Sequence, residues 1–399
     1  MSEVRGLFRP HLAPTSKHPI GLEIDRAEGS WLIARGGRRY LDFIAGIGVS
    51  ALGHVNPEVL AAIEAQLRRH LHVMVYGEYS IESQERYAAL IARMLPPALA
   101  SVYFTNSGAE AIEGALKVAR KHTGRTAFAA FDGAYHGDTM GALALAGNPA
   151  FREPFEPLPG PVLRLPYGNA AALGAIDDSI AAVVVEPVQA EGGVRIPPPG
   201  FLQALRERCD HMRALLIFDE VLTGLGRTGR LFAMEHSEVV PDIIVLAKAL
   251  GGGLPLGAFC GRDEVIGVLS HDPPLGHITT FGGNPLSCAA GMAVFNVIVR
   301  DRLPARAVEA GASIMRKLRG LNAPEIAAVR GIGLLIGMEF HDAKTAHRFV
   351  AETLARGVVI NWTLNAEAVV RIAPPLTISA GEIDFAMNAI EGALNAVRR

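Results

Sequence analysis

Leu215-Leu-Ile-Phe-Asp219-Glu220 and Ile243-Ile-Val-Leu-Ala-Lys248 are short apolar runs that each end in charged residues. Ala182-Val-Val-Val-Glu186 has the same form, and residues 102–105 make a fourth run of strand length. Helical patterns fall between such runs, at residues 111–122 and 201–212. Strands alternating with helices describe an α/β domain on a largely parallel sheet. Strands that are apolar throughout, with no polar face, fit a sheet covered by helices on both sides. Ligands of open α/β sheets bind outside the carboxyl ends of the strands. The strand-end acids Glu186, Asp219 and Glu220 and the strand-end Lys248 are therefore one candidate site.

Outward from this core, residues 31–42 read as a small β-meander with a turn at Gly36-Gly37. Residues 285–301 read as a long helix, and helices alternate with strands (333–340, 369–372) to the end. The expected organisation is an N-terminal segment (1–55), a large domain (56–290) and a smaller α+β domain (291–399). The formal net charge of −2 gives no electrostatic reason to expect nucleic acid, which needs a basic face. Cys209, Cys260 and Cys288 are widely spaced in apolar segments, so buried thiols are expected rather than a disulfide frame. No apolar run reaches the ~18 residues of a membrane span. Residues 1–10, with Glu3, Arg5 and Arg9, carry no apolar signal region, and the expected compartment is cytoplasmic. No metal site is expected.

Lys248 follows five apolar residues. Desolvation there lowers an amine's pKa and leaves it nucleophilic toward aldehydes; the plain alternative is a lysine that turns into water. Asp219 is either a turn or cap residue or a carboxylate set against a pyridinium nitrogen, where it makes the ring a stronger electron sink. In Thr105-Asn-Ser-Gly-Ala-Glu110, Ser107 and the N–H groups of Gly108 and Ala109 face a helix N-terminus suited to an anion. Simple capping by Ser107 or Asn106 is compatible with that role. Gly133-Ala-Tyr-His-Gly-Asp-Thr139 puts an aromatic between glycines, able to lie on a ring or to close a core. His277-Ile-Thr-Thr-Phe-Gly-Gly-Asn-Pro285 is a hydroxyl- and glycine-rich loop before a helix, a second candidate phosphate contact. Arg371, inside an apolar strand, needs a carboxylate partner or ligand. Gly224-Leu-Gly-Arg-Thr-Gly229 matches a dinucleotide fingerprint, but too far from its strand and without a following helix or ribose-binding acid.

In this order the segments resemble the class III aminotransferases, fold-type I pyridoxal-phosphate enzymes, from about Gly21 to about Leu394. The resemblance rests on Asn106-Ser-Gly-Ala-Glu110, Tyr135-His-Gly137, Glu186-Pro187, Asp219-Glu-Val221, Thr223-Gly224, Gly226-Arg-Thr-Gly229, Lys248 and Thr280-Phe-Gly-Gly-Asn-Pro285. It implies that Lys248 carries the cofactor as a Schiff base and that Asp219 partners its ring nitrogen. Ser107, Gly108 and Ala109 become the phosphate cup. Tyr135 stacks on one ring face, with His136 beside it among the cofactor-binding residues, and Val221 packs on the other. Thr280 reaches the phosphate of a neighbouring subunit's cofactor, which implies an obligate homodimer with shared sites.

Glu191 and Arg371 match a pair used as a switch between the α-carboxylate of glutamate or 2-oxoglutarate and a donor that lacks it. The expected reaction is therefore transfer from an ω-amino donor to 2-oxoglutarate, as in enzymes resembling acetylornithine, ornithine and 4-aminobutyrate aminotransferases. Tyr76 and Tyr79 are candidates for the amine pocket or for packing at the dimer contact. Two positions depart from that subgroup. Asp138 stands where an arginine is usual, either to meet a cationic donor or to cap the next helix. Leu222 stands where a glutamine often contacts the cofactor. An aminomutase, racemase or decarboxylase is the rival enzyme reading, against which the Glu191/Arg371 pair speaks. A non-catalytic binding module is the third reading, against which Lys248 and Asp219 speak.

Overall fold

A computed structural model describes residues 11–17 and 19–398; the leader expectation for residues 1–10 lies outside the described residues. Its centre is a sheet in the order Ser101–Thr105, Gly257–Gly261, Ile243–Leu246, Leu215–Asp219, Ile180–Val185, Ala127–Phe131, Val162–Leu165. The last five pair in parallel, and Gly257–Gly261 runs antiparallel between its two neighbours. Side chains alternate across a strand, and here the alternation feeds two cores. Val183, Leu216, Phe218, Ile244 and Leu246 join one buried cluster. Ala182, Val184, Ile217, Ile243 and Val245 join another. That is why the central strands have no polar face, as expected of a sheet covered on both sides.

Helix Gly108–Thr123 covers the second face, burying Ala111, Ile112, Ala115, Leu116, Val118 and Ala119 at helical spacing. Helix Phe201–Met212 covers the first, burying Phe201, Leu202, Leu205 and Cys209. The long helix also packs closely. A Cβ on Gly114 would stand 2.3 Å from the Phe259 ring. All three cysteines are buried and free.

Two smaller sheets complete the fold. One orders Ile24–Glu28, Trp31–Ala34, Arg39–Asp42 and Val358–Val359. The last pairing is parallel and joins the N-terminal meander to the C-terminal part of the chain. The other orders Ile326–Ile332, Leu335–Phe340, Ala366–Ile372 and Asn361–Thr363, and Arg371 lies within it opposite Gly337 and Asn361. The run read as a strand from residue 333 begins at Leu335. Gly333 has φ +56° and, with Leu334, makes the two-residue turn of a hairpin.

Helix Pro285–Arg300 spans position 290, so the expected boundary falls inside a continuous helix. Asn284 accepts from the N–H groups of Leu286 and Ser287, and Pro285 starts the helix without losing a needed donor. Among the described residues no helix is long and apolar enough to cross a membrane.

Candidate active site

The strand ends Val185, Asp219 and Leu246 open on a cavity of about 530 Å³. Lys248, two residues past its strand, has φ +51° and is half-buried on the cavity wall. Burial, and then the Arg371 guanidinium, push its amine below the ordinary lysine range, against the pull of Glu191, Asp219 and Glu186. Such an amine holds a larger neutral fraction than a solvated lysine.

Asp219 is buried. Its Oδ2 lies 2.7 Å from His136 Nδ1, and its Oδ1 accepts from the Val221 N–H at 3.0 Å. Burial disfavours the charged imidazole, but the hydrogen bond and charge of Asp219, with Glu186, outweigh it and raise the His136 pKa. Among the described residues His136 Nε2 is buried without a partner. Glu186 accepts from the N–H groups of Tyr135 and Ala190, and burial pushes its carboxyl up to about 7. Glu220, the other acid on the Asp219 strand, turns away. It binds the N–H groups of Ala233 and Met234 and is absent from the cavity wall.

Ser107, Gly108 and Ala109 line the cavity at the start of helix Gly108–Thr123, with Ser107 Oγ accepting from the Glu110 N–H at 3.1 Å. Side-chain capping and a place on the cavity wall thus coexist at this helix N-terminus. Val221 lies beneath: a Cβ on Gly108 would meet its two methyl groups at 3.0 and 3.1 Å. Tyr135 lines the cavity too, and its Oη donates to Asp138 Oδ2 at 2.7 Å.

Glu191 forms a close ion pair with Arg371, which is only 1% exposed. The second Glu191 oxygen accepts from the Leu364 N–H at 3.0 Å. Arg371 itself is not on the cavity wall but reaches it through Glu191. Sequence reasoning missed Arg227, inside the rejected glycine motif. It is buried and donates to the carbonyls of Leu334 and Pro374. Burial, then Arg371, push it down to about 10. The motif is a loop tied to the C-terminal sheet, with Gly226 and Gly229 at φ +93° and +92°.

Three expected residues stand apart from the cavity wall of this chain. Thr280 is exposed, Tyr79 is 57% exposed, and Tyr76 lines a separate cleft with Thr279 and Gly282. Among the described residues no group of His, Cys, Asp and Glu is placed to hold a metal ion.

A parallel-rich α/β sheet with a half-buried lysine, a buried aspartate and a helix N-terminus around one cavity defines a fold-type I pyridoxal-phosphate transferase. The sequence pattern described as Aminotransferase class-III matches residues 12–394, and the chain belongs to that family of pyridoxal-phosphate-dependent aminotransferases. It is 45% identical over 387 residues to the acetylornithine aminotransferase of Methanopyrus kandleri, covering 97% of each chain. It superposes on the ornithine aminotransferase of Toxoplasma gondii, in a structure described as having PLP at partial occupancy in the active site. That match has a TM-score of 0.89 at 32% identity over 99% of this chain and 93% of that one. A transaminase from the marine bacterium Virgibacillus matches with TM-score 0.92 at 26% identity, covering 98% and 97%.

The cavity fits the cofactor on its own terms. Its wall carries a helix N-terminus suited to an anion, a buried carboxylate and an amine of lowered pKa.

Proposed function

We propose that this enzyme moves an amino group from an ω-amino donor to 2-oxoglutarate, releasing a carbonyl product and glutamate. Water supplies the carbonyl oxygen in the first half-reaction and is released in the second, so the exchange balances. The observation that carries this reading is the buried Glu191–Arg371 pair beside the cavity. A guanidinium paired with a carboxylate can exchange that partner for a substrate carboxylate, and the original pair re-forms when a donor without one binds. An enzyme that never meets a keto acid has little use for such an exchange.

In this reading Ser107, Gly108 and Ala109 would hold the cofactor's phosphate, Asp219 its ring nitrogen, and Tyr135 with His136 and Val221 its two faces. Pyridoxal phosphate, when bound, supplies an aldehyde that condenses with amines and a ring that withdraws electrons. Lys248 would hold the cofactor at rest. Its Nζ would also take and hold the proton from the donor carbon, which requires the neutral amine that burial favours. Asp219 keeps its place through His136 and the Val221 N–H.

The homodimer belongs to the same proposal. Leu71, Leu275, Ile278 and Phe281 are 56, 53, 49 and 56% exposed, and several flank Thr280 in the chain. A large exposed apolar set is the mark of an interface. A second subunit over it would bring Thr280 toward the neighbour's cofactor phosphate and would cover Tyr79. A cytoplasmic location is also proposed, on the three free cysteines, and cell fractionation tests it.

Loading the enzyme with amine donor, removing the excess and adding 2-oxoglutarate tests the central reading. Stoichiometric glutamate is expected. Amine consumption with no glutamate formed would overturn it.

A further inference from the structure

We propose that the donor carries a second ammonium group, and that Asp138 is the residue that selects it. The inference rests on the aminotransferase reading above and adds the chemical class of the donor.

Asp219 is engaged by His136, Glu191 by Arg371, and Glu186 by two backbone N–H groups. The groups able to carry positive charge, His136 and Arg371, are committed to those same carboxylates, and Lys248 is biased toward its neutral form. Asp138 is what remains. It is exposed, it lines the cavity, and among the described residues it joins no ion pair. Its carboxylate accepts from the neutral Tyr135 hydroxyl.

The competing role for Asp138 is that of a helix cap. The following helix, Met140–Ala144, has Thr139 at its N-cap and no side-chain cap bond. Its Gly141 N–H goes instead to Glu113 Oε1 at 2.7 Å. Asp138 therefore has no capping duty. Tyr135 Oη donates to one of its oxygens, which fixes the carboxylate over the cavity and leaves the other oxygen for a ligand. A carboxylate so placed attracts an ammonium group and repels a carboxylate. Diamines are thus favoured over monoamines of equal length, and both over ω-amino acids bound with their acid group on this side.

The test uses the holoenzyme and reads the first half-reaction as loss of the cofactor's visible absorbance band in single turnovers. The probes are 1,4-diaminobutane, 1,5-diaminopentane, butylamine, pentylamine and 5-aminopentanoate, with glutamate as the control. For at least one chain length the diamine should exceed its monoamine about tenfold in kcat/KM, and that ratio should shrink at high salt. In Asp138→Asn, which keeps an acceptor for Tyr135 Oη, the ratio should fall to about one. A ratio near one in the unaltered enzyme, or one that Asp138→Asn does not change, overturns the assignment while glutamate turnover leaves the aminotransferase reading standing. If neither glutamate nor any amine bleaches the band, both readings fall together.

Discussion

Arg371 is the residue on which the proposed chemistry and the stability of the fold meet. Removing the guanidinium while Glu191 stays leaves a buried carboxylate without its cation, a loss on the order of 3–5 kcal/mol. Arg371→Ala should therefore lower the melting temperature, and Arg371→Ala/Glu191→Ala should recover part of the loss. In kinetics, Arg371→Ala should raise the KM for 2-oxoglutarate far more than it affects the half-reaction of a simple amine. Equal losses in both half-reactions would contradict the exchange. Glu220 gives a second residue-scale prediction, clear of the cofactor. Burial raises its carboxyl from the ordinary 4.5 to about 7. A raised acid favours the fold below its unfolded pKa, and that contribution is lost as pH climbs through the folded value. The loss between about pH 4.5 and 7 is on the order of 3 kcal/mol at ~1.4 kcal/mol per pKa unit. Glu220→Gln should flatten that part of the melting-temperature profile; an unchanged slope would put the titration elsewhere.

Among the elements, the turn Ala45–Gly48 is the least comfortable. Its four residues have φ of +49°, +58°, +65° and +76°, and two of them are Ala45 and the β-branched Ile47. Asp42 holds the turn: it accepts from the N–H groups of Ile44 and Gly46 and pairs with His54 at 2.9 Å. The turn presses on the active site. A Cβ on Gly48 would stand 2.3 Å from Leu222 Cδ1 and 3.9 Å from Lys248 Cδ. Gly48→Ala should cost about 1–2 kcal/mol from the left-handed backbone alone, measured by urea unfolding. Trimming the neighbour, as in Gly48→Ala/Leu222→Ala, should relieve the contact but not this backbone share. Full recovery would mean that the strain lies only in the contact. The same packing gives Leu222 a role of its own: it is an apolar wall fitted to Gly48.

At the scale of the whole molecule, the exposed loop around Thr280 and Phe281 is the surface that a second copy is proposed to cover. Phe281→Asp should shift the mass measured by light scattering from two chains toward one. The variant should also retain less cofactor through gel filtration, because Thr280 then meets no neighbouring phosphate. Persistence of the dimer with full cofactor would place the interface elsewhere.

The order of elements was legible because it follows from local signals. Apolar runs of four or five residues ending in charge mark buried strands and their site-facing ends, and helical periodicity marks the covering layers. Lys248, Asp219 and the Ser107–Ala109 turn could be named from such signals and from the family pattern they compose. Which way a side chain turns is not a local property. Asp219 and Glu220 are adjacent on one strand end, and packing sends one into the cavity and the other to the N–H groups of Ala233 and Met234. Arg227 stands in a segment of the family pattern, but its own partners, the carbonyls of Leu334 and Pro374, are more than a hundred residues away in the chain and only folding brings them to it. At Asp138 the tertiary structure gives Thr139 the N-cap position and sets the Tyr135 hydroxyl against the aspartate's carboxylate, neither of which is legible locally. The sequence alone thus determined the layers, the strand ends and the family. Only the tertiary structure decided which charges neutralise one another and which is left on the cavity wall, because pairing depends on distances between segments far apart in the chain.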